Sequence, residues 1–149
     1  MKKLLAVLLL ALVLVACGGE KSVTVTGSFE TAHNEGEAYQ TATVTLVDGK
    51  FTEVTIDEYY PAKAAFKKAL GADYGMVVAS PIGKEWFEQA EALEQWMIGK
   101  TVEEVLAMPV YAKDDSHPTC PDVEELKSSC TMNVGGYLEA VKGAAEAAK

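Results

Sequence analysis

The stretch that decides the fold is Thr41-Ala42-Thr43-Val44-Thr45-Leu46-Val47-Asp48-Gly49-Lys50-Phe51-Thr52-Glu53-Val54-Thr55-Ile56-Asp57. On its first half Ala42, Val44 and Leu46 alternate with Thr41, Thr43 and Thr45. On its second half Thr52, Val54, Ile56 and Glu58 alternate with Phe51, Glu53, Thr55 and Asp57. A β-branched alternation of period two marks a strand with one buried face. Asp48-Gly49 between the halves is a strong signal for a tight hairpin. Upstream, Val23, Val25 and Gly27 alternate with Ser22, Thr24 and Thr26, which predicts another strand. The polar segment His33 to Glu37 reads as the loop joining the first two strands.

Beyond Pro61 the period becomes helical. Ala65, Phe66, Ala69 and Leu70 form a stripe that Gly71 ends. A second helix is expected from Pro81 or Lys84 to Ile98, with Trp86, Ala90, Leu93 and Met97 on one face. Thr101-Val102-Glu103-Glu104 carries a capping-box pattern and opens a short third helix. Residues 109–124, with three prolines, read as loop, and a last helix runs from Val134 to Ala148. Strands first and helices later argue an α+β fold: an antiparallel sheet of three or more strands with about four helices packed on it. Trp86, Phe87 and Trp96 at helical spacing read as core in preference to a ligand cage.

The N-terminus has a different logic. Met1-Lys2-Lys3, an apolar run from Leu4 to Val15, then Ala16-Cys17-Gly18-Gly19 form the three parts of a secretory signal. The run is well short of the roughly 20 residues a spanning helix needs. Leu14-Val15-Ala16-Cys17 resembles the bacterial lipobox, in which the cysteine is acylated and becomes the new N-terminus. An ordinary signal peptide with a stray cysteine is the plainer alternative. The expected organisation is therefore a signal peptide over residues 1–16, a lipidated tether over 17–22 and one domain over 23–149. Lipidation at Cys17 places it at the extracytoplasmic face of a membrane.

Without Lys2 and Lys3, 11 lysines face 22 acidic residues, a net charge of −11, and there is no arginine. Nucleic-acid binding needs a basic footprint and is excluded. A phosphate ligand would have to be met by backbone N–H groups, a helix N-terminus or a few lysines. Cys120 and Cys130 would lie in an oxidising compartment, where a structural disulfide is the first reading. Two free thiols come next, and a metal site from His117 with both cysteines third, since four good ligands cannot be counted. A Cys120–Cys130 disulfide taking part in redox transfer is a further option.

No nucleophile elbow, phosphate loop or HExxH is present, so a binding role is favoured over catalysis. Three stretches could hold a ligand. Asp57-Glu58-Tyr59-Tyr60-Pro61 offers two aromatics where a strand leaves the sheet, either a stacking platform or ordinary strand-end packing. Asp73-Tyr74-Gly75-Met76 and the following Ser80-Pro81-Ile82-Gly83-Lys84-Glu85-Trp86 have glycines that imply tight turns or a close backbone approach. Ser128-Ser129-Cys130-Thr131-Met132-Asn133 leads into the last helix, whose N-terminus favours an anion. The plain alternative there is an ordinary N-cap.

Gly27-Ser28-Phe29, Ala42 to Val47, Asp48-Gly49-Lys50-Phe51 and Val54 to Asp57 resemble the opening of FMN-binding domains, found in exported and membrane-anchored electron-transfer flavoproteins. That family carries D-x-x-[ST]-G-A-[TS] before its last helix, and the final hydroxyl receives FMN through a phosphoester. Alignment on the last helix places Glu125 at the Asp, Ser128 at the first hydroxyl, Ser129 at the Gly, Cys130 at the Ala and Thr131 at the acceptor. Three of these positions depart from the pattern. The resemblance implies FMN as cofactor and a membrane redox partner. Its phosphate would lie at Thr131, among Ser128, Ser129, Met132 and Asn133, and its ring near Tyr59, Tyr60 or Tyr74. Nearby acidic charge would lower its potential. The rival function is a non-redox lipoprotein binding a ligand or partner protein on the same fold.

Overall fold

A computed structural model describes residues 22–148; Cys17 and the leader lie outside the described residues. The fold is α+β. Strands β1 (Thr24–Glu30), β2 (Tyr39–Val47), β3 (Lys50–Tyr60) and β4 (Ala65–Phe66) form one antiparallel sheet in chain order. Helices α1 (Lys67–Leu70), α2 (Trp86–Met97), α3 (Val102–Leu106) and α4 (Gly135–Ala147) follow. A small second sheet pairs β5 (Val110–Tyr111) with β6 (Cys120–Pro121), inside the segment expected to be loop. Among the described residues no helix is long and apolar enough to cross a membrane.

The hairpin turn falls at Asp48-Gly49, both at positive φ (51° and 78°), as a two-residue turn with matching twist demands. Past it the simple alternation breaks. Leu46 faces Phe51 and Thr45 faces Glu53, so Thr52 is the extra residue of a bulge. That slip lets Phe51 join Val54 and Ile56 in the core, while Thr52 Oγ1 donates to Thr45 O (3.2 Å).

Ala42, Val44, Leu46, Phe51, Val54 and Ile56 face inward against Trp86, Ala90, Leu93 and Met97 of α2 and Tyr137, Val141 and Ala144 of α4. Trp86 is fully in the core, and Phe87 and Trp96 pack partly buried against it. Gly27 allows α4 to cross β1: a Cβ there would lie 2.1 Å from Ala144 O. Thr101 and Glu104 form the expected capping box at α3.

The region after Pro61 departs from the expected helix. A 3-10 turn over Pro61–Lys63 ends at Ala64 in the left-handed region (φ 49°). Ala65 and Phe66 then pair with Tyr60 and Tyr59 as the edge strand β4. Only Lys67–Leu70 is helical, and Ala69 is exposed. Backbone groups at the end of the long β3 need partners, and pairing them outweighs a weak helical stripe. The chain thereby turns Lys67 inward, where it is 8% exposed.

Candidate functional site

The α4 N-terminus, the end of β3 and the loop before α2 enclose a cleft of about 390 Å³, within the range of small-ligand pockets. One wall is built from Tyr74, Met76, Ala79, Ser80, Pro81 and Trp86, the other from Lys113, Ser116, His117, Thr131, Met132, Asn133 and Gly136. Gln40, Glu58, Lys67 and Tyr137 also line it.

Helix α2 positions both walls. The carboxylate of Glu85, itself buried, accepts the N–H groups of Met76 (2.9 Å) and Val77 (3.2 Å). Gln89 is wholly buried; its Nε2 donates to Ser80 Oγ (3.1 Å) and Lys84 O (3.2 Å), and its Oε1 accepts Thr131 N–H (2.9 Å). One amide side chain therefore ties the loop wall to the Thr131 wall. Buried amides persist only when satisfied in this way. The Thr131 hydroxyl also lies 3.5 Å from Gln89 Oε1. Thr131 borders a second cavity of about 290 Å³, shared with Tyr111, Pro121, Asp122, Lys127 and Cys130.

The start of α4 is capped by Thr119, just before β6, and not by its own N-cap. Thr119 Oγ1 accepts Gly135 N–H (3.0 Å), and Thr119 N–H donates to Asn133 Oδ1 (3.0 Å). Gly136 brings this helix end against Gln40, where a Cβ would lie 2.6 Å from Gln40 Oε1.

A buried polar network fills the inner end. Lys67 Nζ contacts Glu58 Oε1 at 2.7 Å and stands over the Tyr74 ring (4.7 Å) and the Trp86 ring (5.5 Å). Glu58 Oε2 accepts from Gln40 Nε2 (3.1 Å) and from the Tyr137 hydroxyl, which accepts Trp86 Nε1–H (3.0 Å). Burial pushes the Glu58 carboxyl up, but the Lys67 charge and the bonds from Lys67, Tyr137 and Gln40 outweigh it and hold it below the usual range. Burial first, and the Glu58 charge second, push the Tyr137 phenol well above its ordinary value.

Four of the expected cofactor residues meet here: Tyr74, Thr131, Met132 and Asn133. Tyr60 stands behind Tyr74, ring to edge at 5.3 Å. Tyr59 points to the other face of the sheet, as alternation requires. There it stacks on Tyr39 (5.3 Å) with Phe66 at its edge, and His33 covers Tyr39 (3.8 Å). Ser128 is exposed and Ser129 Oγ donates to Glu125 O (3.3 Å); neither lines the cleft. They lie in the turn that follows the 3-10 helix Glu124–Leu126, before the chain reaches the wall at Thr131.

The structure also differs from the expected disulfide. Cys120 and Cys130 are buried free thiols. Cys120 Sγ donates to Thr131 O (3.3 Å), so its hydrogen is directed at a carbonyl. Burial raises the Cys120 thiol and pushes Cys130 up to about 12. Thiols so disfavoured as thiolates are poor nucleophiles, which removes support from their role in redox transfer. Among the described residues no group of three or more His, Cys, Asp and Glu gathers to hold a metal. His117 lies 2.7 Å from Asp114 instead.

Lys67, Gln89, Thr119 and Tyr137, at or behind the cleft, are residues that sequence reasoning missed; Glu58 fell inside a stretch read only for its aromatics. The only signal was polarity inside apolar stripes, as at Gln89 between Trp86 and Leu93. Compared with known proteins, the chain matches no family model, no curated protein and no solved structure.

Proposed function

We propose that this chain is a lipid-anchored extracytoplasmic protein that holds FMN in the cleft between α2 and α4 and passes electrons at the membrane surface. The observation that carries the reading is the meeting of Thr131, Met132 and Asn133 with Tyr74, Lys67, Lys113 and His117 around one cavity. On an acidic chain without arginine, two lysines, Lys67 and Lys113, line the same cleft as the α4 N-terminus. Such an end favours an anion. Thr131, Asn133, Lys113 and His117 would hold a phosphate, and the half-buried Tyr74 would offer apolar surface to a flat ring. Bound FMN supplies the redox chemistry; the protein supplies orientation and electrostatics.

The test is titration of the purified domain with FMN, followed by flavin absorbance and intact mass after coexpression with a flavin transferase. Binding with loss of about tenfold affinity in Thr131→Ala, the worth of one good hydrogen bond, supports the site. A mass addition absent from that variant locates a covalent bond at Thr131. No binding and no mass addition defeat the FMN reading. Independently, Cys17→Ser should shift the full-length protein from the membrane to the soluble fraction or leave it unprocessed. Unchanged acylation and retention would defeat the anchor.

A second reading, a non-redox lipoprotein binding a ligand or partner at the same cleft, is favoured by Ser129 and Cys130. They stand where the resembled motif has Gly and Ala.

A further inference from the structure

We propose that the hairpin end of the sheet rests on the lipid surface and that the cleft is held on the far side of the domain. This rests on the lipid-anchor reading and not on FMN.

The tether fixes one end. Val23 is pinned to the β2–β3 turn: its N–H donates to Asp48 Oδ1 (2.8 Å) and its carbonyl accepts Asp48 N–H (2.9 Å). The chain therefore enters the domain at the hairpin. Six residue steps separate Cys17 from Val23, a reach of at most about 22 Å. The cleft lies at the other end of the ladder. Gln40 and Glu58, which line it, face each other eight residues from Asp48 and from Lys50 respectively. At the rise of a strand that is about 25 Å. Helix α2 runs the same way: Trp86 lines the cleft, while beyond its far end Gly99 N–H donates to Phe51 O (2.8 Å) and Lys100 O accepts Phe51 N–H (2.9 Å), beside the hairpin. With the cleft turned down to the lipid, Val23 would stand higher above the surface than the tether reaches. With the hairpin down, no such conflict arises.

The hairpin end also has the chemistry of a lipid contact. Val23 (59% exposed) and Ile98 (37% exposed) present apolar side chains there. Trp96, half-buried and two residues before Ile98, has Lys100 Nζ 4.3 Å from its ring. An indole and a lysine suit the boundary between headgroups and water. Lys50 and Lys100 face three acids at this end, Asp48, Glu103 and Glu104. Asp48 is engaged by Val23, and Glu104 turns back to accept Thr101 N–H (2.8 Å). This end is therefore nearly neutral on a strongly acidic chain, and apolar contact seats it. Val77 and Val78 are exposed too, but they lie between Met76 and Ala79 of the cleft wall, on the side the tether keeps away from the lipid. A ligand of the cleft then arrives from the aqueous phase. Under the FMN reading, the electron partner is a water-exposed domain and not a carrier dissolved in the lipid.

The experiment uses the full-length acylated protein in phosphatidylcholine vesicles that carry a nitroxide on the headgroup. A bimane fluorophore is attached at Glu103→Cys, beside the hairpin, or at Ser116→Cys, on the cleft wall. Cys120 and Cys130 are buried and do not compete for the label. We expect loss of fluorescence at position 103 and none at position 116, relative to vesicles without nitroxide. Equal loss at both positions, or a greater loss at 116, overturns the orientation. No loss at either position in vesicle-bound protein overturns the contact. Both results leave the anchor standing, whereas a wild type that never joins the membrane defeats the anchor and this inference together. Where Glu103→Cys does not fold, a label at Lys50→Cys reads the same end with the same two outcomes.

Discussion

Lys67 and Lys68 are consecutive, and each pairs with a glutamate, yet the two pairs behave differently. Lys67 turns into the cleft to meet Glu58; Lys68 turns toward α2 to meet Glu94. Glu58 has three side-chain donors, from Lys67, Gln40 and Tyr137. Glu94 has one lysine and the Ile56 N–H (2.7 Å). Burial pushes the Glu94 carboxyl up, and the bonds from Lys68 and Ile56 and the Lys68 charge offset only part of that, with Glu91 adding repulsion. It lies above the ordinary range while Glu58 lies below. Similar burial therefore does not give equal charge; the Lys67 charge first, and the bonds from Lys67, Tyr137 and Gln40 after it, outweigh burial at Glu58 but have no equal at Glu94. The surroundings of Glu58 favour its charged form, and those of Glu94 favour its neutral form.

The largest expected difference between the pairs is in stability. Lys67→Met leaves Glu58 buried without its cation, and breaking a buried pair from one side costs about 3 kcal/mol or more. Lys68→Met removes a more exposed lysine from a carboxyl already raised. Glu94 can answer that loss by taking up a proton, so the cost should be smaller, below about 3 kcal/mol. Urea unfolding of the two variants with unchanged m-values would read the difference directly. Equal midpoints would mean that the Glu58 network is no tighter than the Glu94 pair, and the contrast would fail.

This contrast also explains what the sequence disclosed. The hairpin was legible because Asp48-Gly49 and the flanking threonine alternation obey local rules. Helices α2, α3 and α4 were legible from stripes and a capping box. The stretch around Thr131 was legible as a helix entrance, and Tyr74 as a residue between turns. The inner network was not, because it is assembled from positions far apart in the chain. Glu58 fell in a stretch read for its aromatics, Tyr59 and Tyr60, and Lys67 lay unremarked within an expected helix. Their meeting depends on Ala65-Phe66 pairing with β3, a tertiary preference that overrides local period. Gln89 and Thr119 were hidden for the same reason: each satisfies backbone groups of a distant segment. Ser128 and Ser129 were misplaced because a hydroxyl cluster looks alike whether it faces a cavity or solvent.

The smaller effect is on acid stability, and its sign separates the two glutamates. The lowered Glu58 carboxyl contributes stability that is fully present above the unfolded carboxyl range, near pH 4–5. That contribution is lost as pH falls through the folded value. The raised Glu94 carboxyl acts the other way. Its contribution is present below the unfolded value and is lost as pH rises through its folded value. Glu58→Gln should therefore flatten the fall in melting temperature from neutral pH toward pH 3, while lowering stability at pH 7. Glu94→Gln should steepen the acid loss, because it removes the term that favours low pH, and it should cost little at pH 7. Melting temperatures at half-unit pH intervals for the wild type and both variants would check this. If both substitutions bend the profile in the same direction, the two carboxyls are not held on opposite sides of their ordinary value, and the distinction between the cleft and the α2 pair is lost.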